Sequence, residues 1–467
     1  PSAVLFDLNR YRWAQFWQEA RKTLVLALPI LVAQVAQVGV GFVDTVMAGR
    51  VGAEDLAAVA LGSNVFITVY VTFMGITVAL NPILSQLFGA GKTAEVGEYG
   101  RQGLWFGLML GILGMALLWL LIGPVKGYLK LGDYVDQTFA LYLFFIALGM
   151  PAAMVHRALH AYASSLNKPK PIMLVSLAAL LLNIPLNYIF VYGKLGMPAL
   201  GGAGCGVASA LVFWFNAVVL WLYVARQRYF ARFGLMSRFS WPNWAAQGQV
   251  LKLGIPIGLS FFLEVSLFTF IGLLIVRFGV AQVAAQQVVM SITALLYMLP
   301  QSIGTALGVR VGQYIGMGRM LRARYASGVG VCMGLAGAVL TALLLLTFRH
   351  ELVAFYTRDT AVVALGATLL AFAAFFQLSD ATQTIASYAL RGYKLTKVPM
   401  LIHLFTFWGF GLGLGALLGL YFNWGLYGFW TALIVALLGA AVALVWYLEQ
   451  QSRRMAARQG WCDEPAA

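Results

Sequence analysis

Charge is what this chain has least of: 10% of its 467 residues are Asp, Glu, Lys or Arg, against about 25% in a typical soluble domain. Acidic residues are the scarcer sign, 16 against 31 basic ones. Cysteine is nearly absent, and Cys205, Cys332 and Cys462 are spaced neither as a metal site nor as a disulfide framework. No phosphate-binding glycine loop, nucleophile elbow or CxxC occurs. These shortages exclude a water-soluble enzyme, a disordered chain and an ordinary nucleic-acid-binding domain, in spite of a formal net charge of +15.

What the chain has in excess is long apolar runs, with 61% hydrophobic residues overall. An apolar run of about 20 residues crosses the hydrocarbon core as a helix, whereas a β-barrel needs alternating segments of about 10. The runs place spans at 23–48, 56–87, 102–124, 137–161, 171–192, 203–225, 250–278, 284–314, 326–348, 361–390, 398–420 and 425–448. The expected fold is an all-α polytopic membrane protein with twelve transmembrane helices. The first run is too long for a cleavable signal and lacks a small-residue cleavage site.

Of the 31 Lys and Arg, 22 fall on one side of these spans and 7 on the other. Arg391, Lys394 and Lys397 are counted with the larger group, and Arg157 and Arg310, near helix ends, with neither. The richer side is cytoplasmic, which puts both termini inside. The halves also repeat. An offset of 227 pairs Pro29 with Pro256, Tyr70 with Tyr297, Gln86 with Gln313, Gly89 with Gly316, Gly91 with Gly318 and Lys92 with Arg319. Six spans per half give two parallel-oriented six-helix bundles around a central cavity, with a solute site near the midplane. The expected division is 1–225 for the first bundle, 226–249 for a cytoplasmic linker, and 250–467 for the second bundle with its basic tail.

Three carboxylates lie inside apolar runs: Asp44 in VGVGFVDTVMAG, Glu264 in GLSFFLEVSLF and Asp380 in FFQLSDATQT. A charge at bilayer depth costs about 2.5–3.5 kcal/mol on insertion scales, and such residues mark ion or substrate paths. A carboxylate held by hydrogen bonds for helix packing is the bland alternative. No Lys or Arg is expected at similar depth, which points to a mobile cationic partner: a proton, a metal ion or an organic cation. Helical spacing puts Gln37 on the side of Asp44 and Ser260 on the side of Glu264, and it aligns Gln377, Asp380, Thr384 and Ser387 in one stripe. Oxygen-rich surroundings suit Na+, and burial, which disfavours the charged carboxylate, equally suits H+. Tyr297 is a candidate for holding a cation against its ring, while Trp13, Trp105, Trp119 and Trp446 read as interfacial or lipid-facing. His156 and His160 are four apart on one helix but lack the Glu of a zinc-protease motif, and His350 and His403 are isolated.

The stretches ALPILVAQVAQVGVGFVDTVMAG (27–49), DLAAVALGSNVF (55–66), LNPILSQLFGAGK (80–92), RALHAYASSLNKPK (157–170), NYIFVYGKLGMPALGGAGCG (187–206), FFLE (261–264), AAQQV (284–288) and ASYALRGYK (386–394) resemble the multidrug and toxic compound extrusion (MATE) family, in its NorM-type bacterial branch. The Gly-Asp-basic signature of a major-facilitator transporter does not occur after the second span. The resemblance implies a multidrug efflux antiporter of the bacterial inner membrane, active as a monomer and without an organic cofactor. It would export organic cations such as fluoroquinolones and ethidium-like dyes in exchange for Na+ or H+. It implies that Asp44 is the drug-side acid, that Glu264 and Asp380 bind the cation beside Tyr297, and that Gln37, Asn64 and Gln287 line the substrate cavity. It also implies an acidic pair in the outer loop before helix 10. Here that pair reads Arg358-Asp359, which leaves Asp359 alone to meet a cationic drug. Two other readings stay open: a lipid-linked oligosaccharide flippase, for which a basic cavity is expected, and an intramembrane enzyme.

Overall fold

The computed structural model describes residues 5–461, and all regular structure among them is helical. After a single turn at Leu5–Asp7 come α1 (Trp13–Val51), α2 (Ala53–Thr77), α3 (Leu80–Gly89), α4 (Thr93–Leu129), α5 (Asp133–Ala147), α6 (Met150–Ser165), α7 (Lys170–Tyr192), α8 (Ala203–Arg226) and α9 (Arg228–Ala231). They are followed by α10 (Trp244–Leu274), α11 (Val280–Gly316), α12 (Met320–Tyr356), α13 (Thr360–Gly392), α14 (Lys397–His403) and α15 (Leu426–Arg458). Between α14 and α15 the chain winds in wider π turns over Leu404–Leu414 and Leu417–Tyr421. Among the described residues eleven helical stretches are long and apolar enough to cross a membrane, and α5 with α6, bent by 42°, gives a twelfth. The expected spans are all present, and several of their helices extend beyond them at one end or both; α10, for example, begins at Trp244.

The breaks follow from local chemistry. Between α5 and α6, a Cβ on Gly149 would lie 2.8 Å from Cα of Ala210, so glycine lets α8 approach there. Pro151 then starts α6, where a missing N–H leaves no hydrogen bond unmade. Gly91 and Gly318, paired by the sequence repeat, adopt φ of +72° and +77°, a region in which L side chains are strained. Each begins the turn that feeds a 37-residue helix, α4 and α12.

The chain divides into two compact units. The first comprises Pro29–Phe88 and Lys92–Gly258. In it α8 packs on α5, α6 and α7, and α4 packs on α6. Tyr142 is buried against Gly62, where a Cβ would stand 2.4 Å from the ring. The segment after α8 is clasped to the start of α4. Arg101 donates to Ser240 Oγ at 3.0 Å and to the Gly234 carbonyl, Trp105 donates to the Ser240 carbonyl at 2.8 Å, and Gln102 accepts from the Asn243 amide at 2.8 Å.

The second unit comprises the residues up to Leu28, Gly89–Gly91, and those from Leu259 onward. Its central helix is α13, packed by α11, α12 and α15. Phe376, Phe407, Phe429 and Trp430 fill one core cluster, and Trp430 satisfies its buried indole N–H on Gln286 Oε1 at 2.7 Å. Residues 5–28 group with the later half, where Asp7 and Glu19 have ion-pair partners, and 226–249 groups with the first unit.

Candidate functional site

Asp44 sits near the C-terminal end of the apolar run of α1, with 5% of its surface exposed. Its carboxylate accepts hydrogen bonds from Asn187 Nδ2 on α7, at 2.8 Å, and from Ser209 Oγ on α8. The same Asn187 amide reaches Asn183 Oδ1, one turn earlier, at 2.8 Å, and Cys205 Sγ points to the Asp44 carbonyl. All these donors are neutral, so the carboxylate is solvated by dipoles and not by a fixed positive charge. Asn183 Nδ2 and Asn187 Oδ1 are buried with no hydrogen-bond partner among the described residues.

The second unit holds the other two acids. Glu264 on α10, Tyr297 on α11, and Gln383, Thr384, Ser387 and Arg391 on α13 line one small cavity, with Ser260, Phe261, Tyr388 and His403. Asp380 is 4% exposed and accepts from Gln383 Nε2 at 3.0 Å. Gln383 Oε1 in turn meets His403 Nε2 at 3.0 Å, and Ser387 Oγ lies 3.3 Å from the same nitrogen. Ser260 and Glu264 share the wall, as their spacing predicts, and Gln377, Asp380, Thr384 and Ser387 are all buried along one face of α13.

Arg391 corrects the expectation that no basic group reaches the depth of these acids. It is 6% exposed and turns into the cavity that Glu264 lines. Its guanidinium lies 4.5 Å from the Tyr388 ring centroid and 4.9 Å from that of Phe261. The stripe from Asp380 through Thr384 and Ser387 runs on, at helical spacing, to Arg391, so the pattern that exposed the acids also contained the base. Even so, none of the ion pairs among the described residues includes Asp44, Glu264 or Asp380. His403 is likewise not isolated but joined to Asp380 through Gln383; no spacing signal could have linked it across two helices.

The remaining expected residues are less engaged. Gln37 is partly buried, while Asn64 and Gln287 are exposed. Gln286, beside Gln287, is the buried one, and it is committed to Trp430. Asp359 is exposed and caps α13, accepting from the Ala361 amide at 3.0 Å. His156 and His160 are buried on α6, and no cluster of three or more His, Cys, Asp or Glu fit for a metal occurs among the described residues. Cys462 lies outside the described residues.

The MatE family model matches this chain twice, over residues 29–189 and 256–417, the second match beginning at the position that the sequence repeat pairs with the first. The "Probable multidrug resistance protein NorM" of Neisseria meningitidis serogroup B is 60% identical over 452 residues, covering 97% of this chain and 98% of its own length. The "Multidrug resistance protein PmpM" of Pseudomonas aeruginosa is 41% identical, with 93% and 92% covered. Among solved structures, the MATE transporter NorM-NG, held in complex with a dye and a monobody, superposes with a TM-score of 0.81 at 56% identity, covering 93% of this chain and 95% of that one. The eukaryotic MATE transporter AtDTX14 shares the fold at 21% identity, with a TM-score of 0.86 and coverage of 95% and 99%. This chain therefore belongs to the MatE family, the multidrug and toxic compound extrusion transporters.

Proposed function

We propose that this protein is a multidrug efflux antiporter that exports organic cations, fluoroquinolones and ethidium-like dyes among them, in exchange for Na+ or H+ by alternating access. One observation carries the reading. Three carboxylates lie in membrane-spanning helices with no ion-pair partner among the described residues: one in the first unit on neutral donors, and two in the second, of which Glu264 lines a small polar cavity and Asp380 is held by Gln383 from that cavity's wall. An unpaired acid in such a place is retained for a mobile cation. The solved complex of NorM-NG with a dye supports the same reading.

In this scheme Asp44 attracts the cationic drug, with Gln37 and Asn64 as polar lining. The coupling ion enters at Glu264 and Asp380 beside Tyr297, whose ring face favours a cation. Gln287 and Asp359 are assigned to the drug path. Ion and drug each stabilise the state to which they bind better, so the ion needs only a differential affinity to bias release. The protein lies in the bacterial inner membrane with both termini cytoplasmic and works as a monomer. The acids weigh against an anionic lipid-linked substrate.

Ethidium efflux from proteoliposomes under separately imposed Na+ and pH gradients tests this. Export driven by at least one gradient is expected. Efflux indifferent to both gradients rules the antiport reading out.

A further inference from the structure

Two cations of the first unit share one aromatic ring and have no acid to answer them. Lys168 Nζ lies 4.7 Å from the ring centroid of Tyr229, and the guanidinium of Arg232 lies 4.8 Å from it. Both side chains are exposed, and neither has an ion-pair partner among the described residues. The surrounding sequence offers none: no Asp or Glu occurs between Asp136 and Glu264. Two like charges over one ring stand within about 10 Å of each other, one Debye length, and repel. The arrangement is nevertheless held in place. The Tyr229 hydroxyl donates to the Leu166 carbonyl at 2.7 Å, which fixes the ring beside the turn that carries Lys168. Phe230, Phe233 and Leu235 are buried, so the segment after α8 is anchored while Arg228 and Arg232 stay exposed.

We infer that Lys168 and Arg232, on their Tyr229 platform, bind the phosphate group of an anionic phospholipid. Lys168 sits in the short break between α6 and α7, which both belong to membrane-spanning stretches, so the break lies where hydrocarbon gives way to headgroups. Lipid phosphates are concentrated at that depth. A phosphate between the two cations removes their repulsion and accepts charge-assisted hydrogen bonds from both. Orientation in the membrane requires only that basic residues lie on this side; it does not require two of them on one fixed ring. None of these residues is among those assigned to ion or drug.

Native mass spectrometry of the purified chain in detergent, titrated with phosphatidylglycerol or phosphatidylcholine, tests this. Wild type should hold phosphatidylglycerol about 25-fold more tightly than phosphatidylcholine, at a factor of about five for each cation beside an anionic lipid. Lys168→Gln should reduce that preference to about fivefold, and Lys168→Gln/Arg232→Gln should abolish it. Lys168→Arg/Arg232→Lys, which keeps both charges, should bind as wild type does. Lys92→Gln/Lys252→Gln removes two exposed cations of the same unit that lie over no aromatic ring among the described residues, and should leave the preference intact. No preference in wild type would overturn the inference. So would an equal loss in the Lys92→Gln/Lys252→Gln variant, which would show diffuse attraction and no site. Inorganic phosphate that displaces phosphatidylglycerol at equal concentration would overturn the lipid as ligand. Full retention by Tyr229→Leu would remove the ring from the site. Melting in lipid-free detergent reports that each variant is folded; if the double variant is not, Lys168→Gln decides alone.

Discussion

A single carboxylate among neutral donors behaves differently from one in a salt bridge, and Asp44 is of the first kind. Asn187 and Ser209 hold its orientation but supply no positive charge. Asp44→Asn keeps an acceptor for both donors, so the fold should survive. Binding of ethidium should weaken by about tenfold, which is about 1.4 kcal/mol, while a neutral substrate of similar size should be held nearly as before. Fluorescence titration of both against the variant checks this; an equal loss for the two would remove Asp44 as charge partner. The residue itself was legible in the sequence because a carboxylate in an apolar run is energetically conspicuous. Its partners were not, since nothing in the local pattern of α7 or α8 says which of their polar side chains turns toward α1. Arg391 was legible too, through the spacing that continues past Ser387, but its place in the last turn of α13 made it look like one more cytoplasmic charge.

At the level of elements, the segment before α1 is a strap on the second unit. Arg324, fully buried on α12, donates to Asp7 at 3.0 Å, to Glu449 Oε1 at 2.7 Å and to Ser452 Oγ at 3.0 Å. The Phe6 amide donates to the other oxygen of Glu449 at 3.0 Å, and the Phe6 ring fills the space that Gly328 leaves without a Cβ. On α1, Glu19 is held by Arg310 and by the Tyr314 hydroxyl at 3.1 Å. Removing one partner of a buried charge network costs roughly 3–5 kcal/mol, mostly through the charges left behind. Arg324→Met should therefore lower the melting temperature in detergent markedly and free the first residues for proteolysis. An unchanged melting curve would show that the strap contributes nothing. No local pattern announces this element. Asp7 and Glu19 read as ordinary charges ahead of the first span, because their partners lie some 300 residues away in the chain.

Across the whole molecule, hydropathy and the internal repeat located the helices well, because membrane spans are dictated by composition and the two halves answer to the same pattern. Pro29 and Pro256 start both the repeat offset and the two matched family segments. What hydropathy cannot show is which distant segments pair, such as the residues before α1 with α12 and α15. The functional account rests on Glu264 and Asp380 carrying the coupling ion in one unit while Asp44 serves the drug in the other. Ethidium export by Glu264→Gln and Asp380→Asn, reconstituted in vesicles with an inward Na+ or H+ gradient, tests it most directly. Folded variants that still bind ethidium but no longer respond to the gradient are the predicted result; full ion-driven export by both would contradict the account.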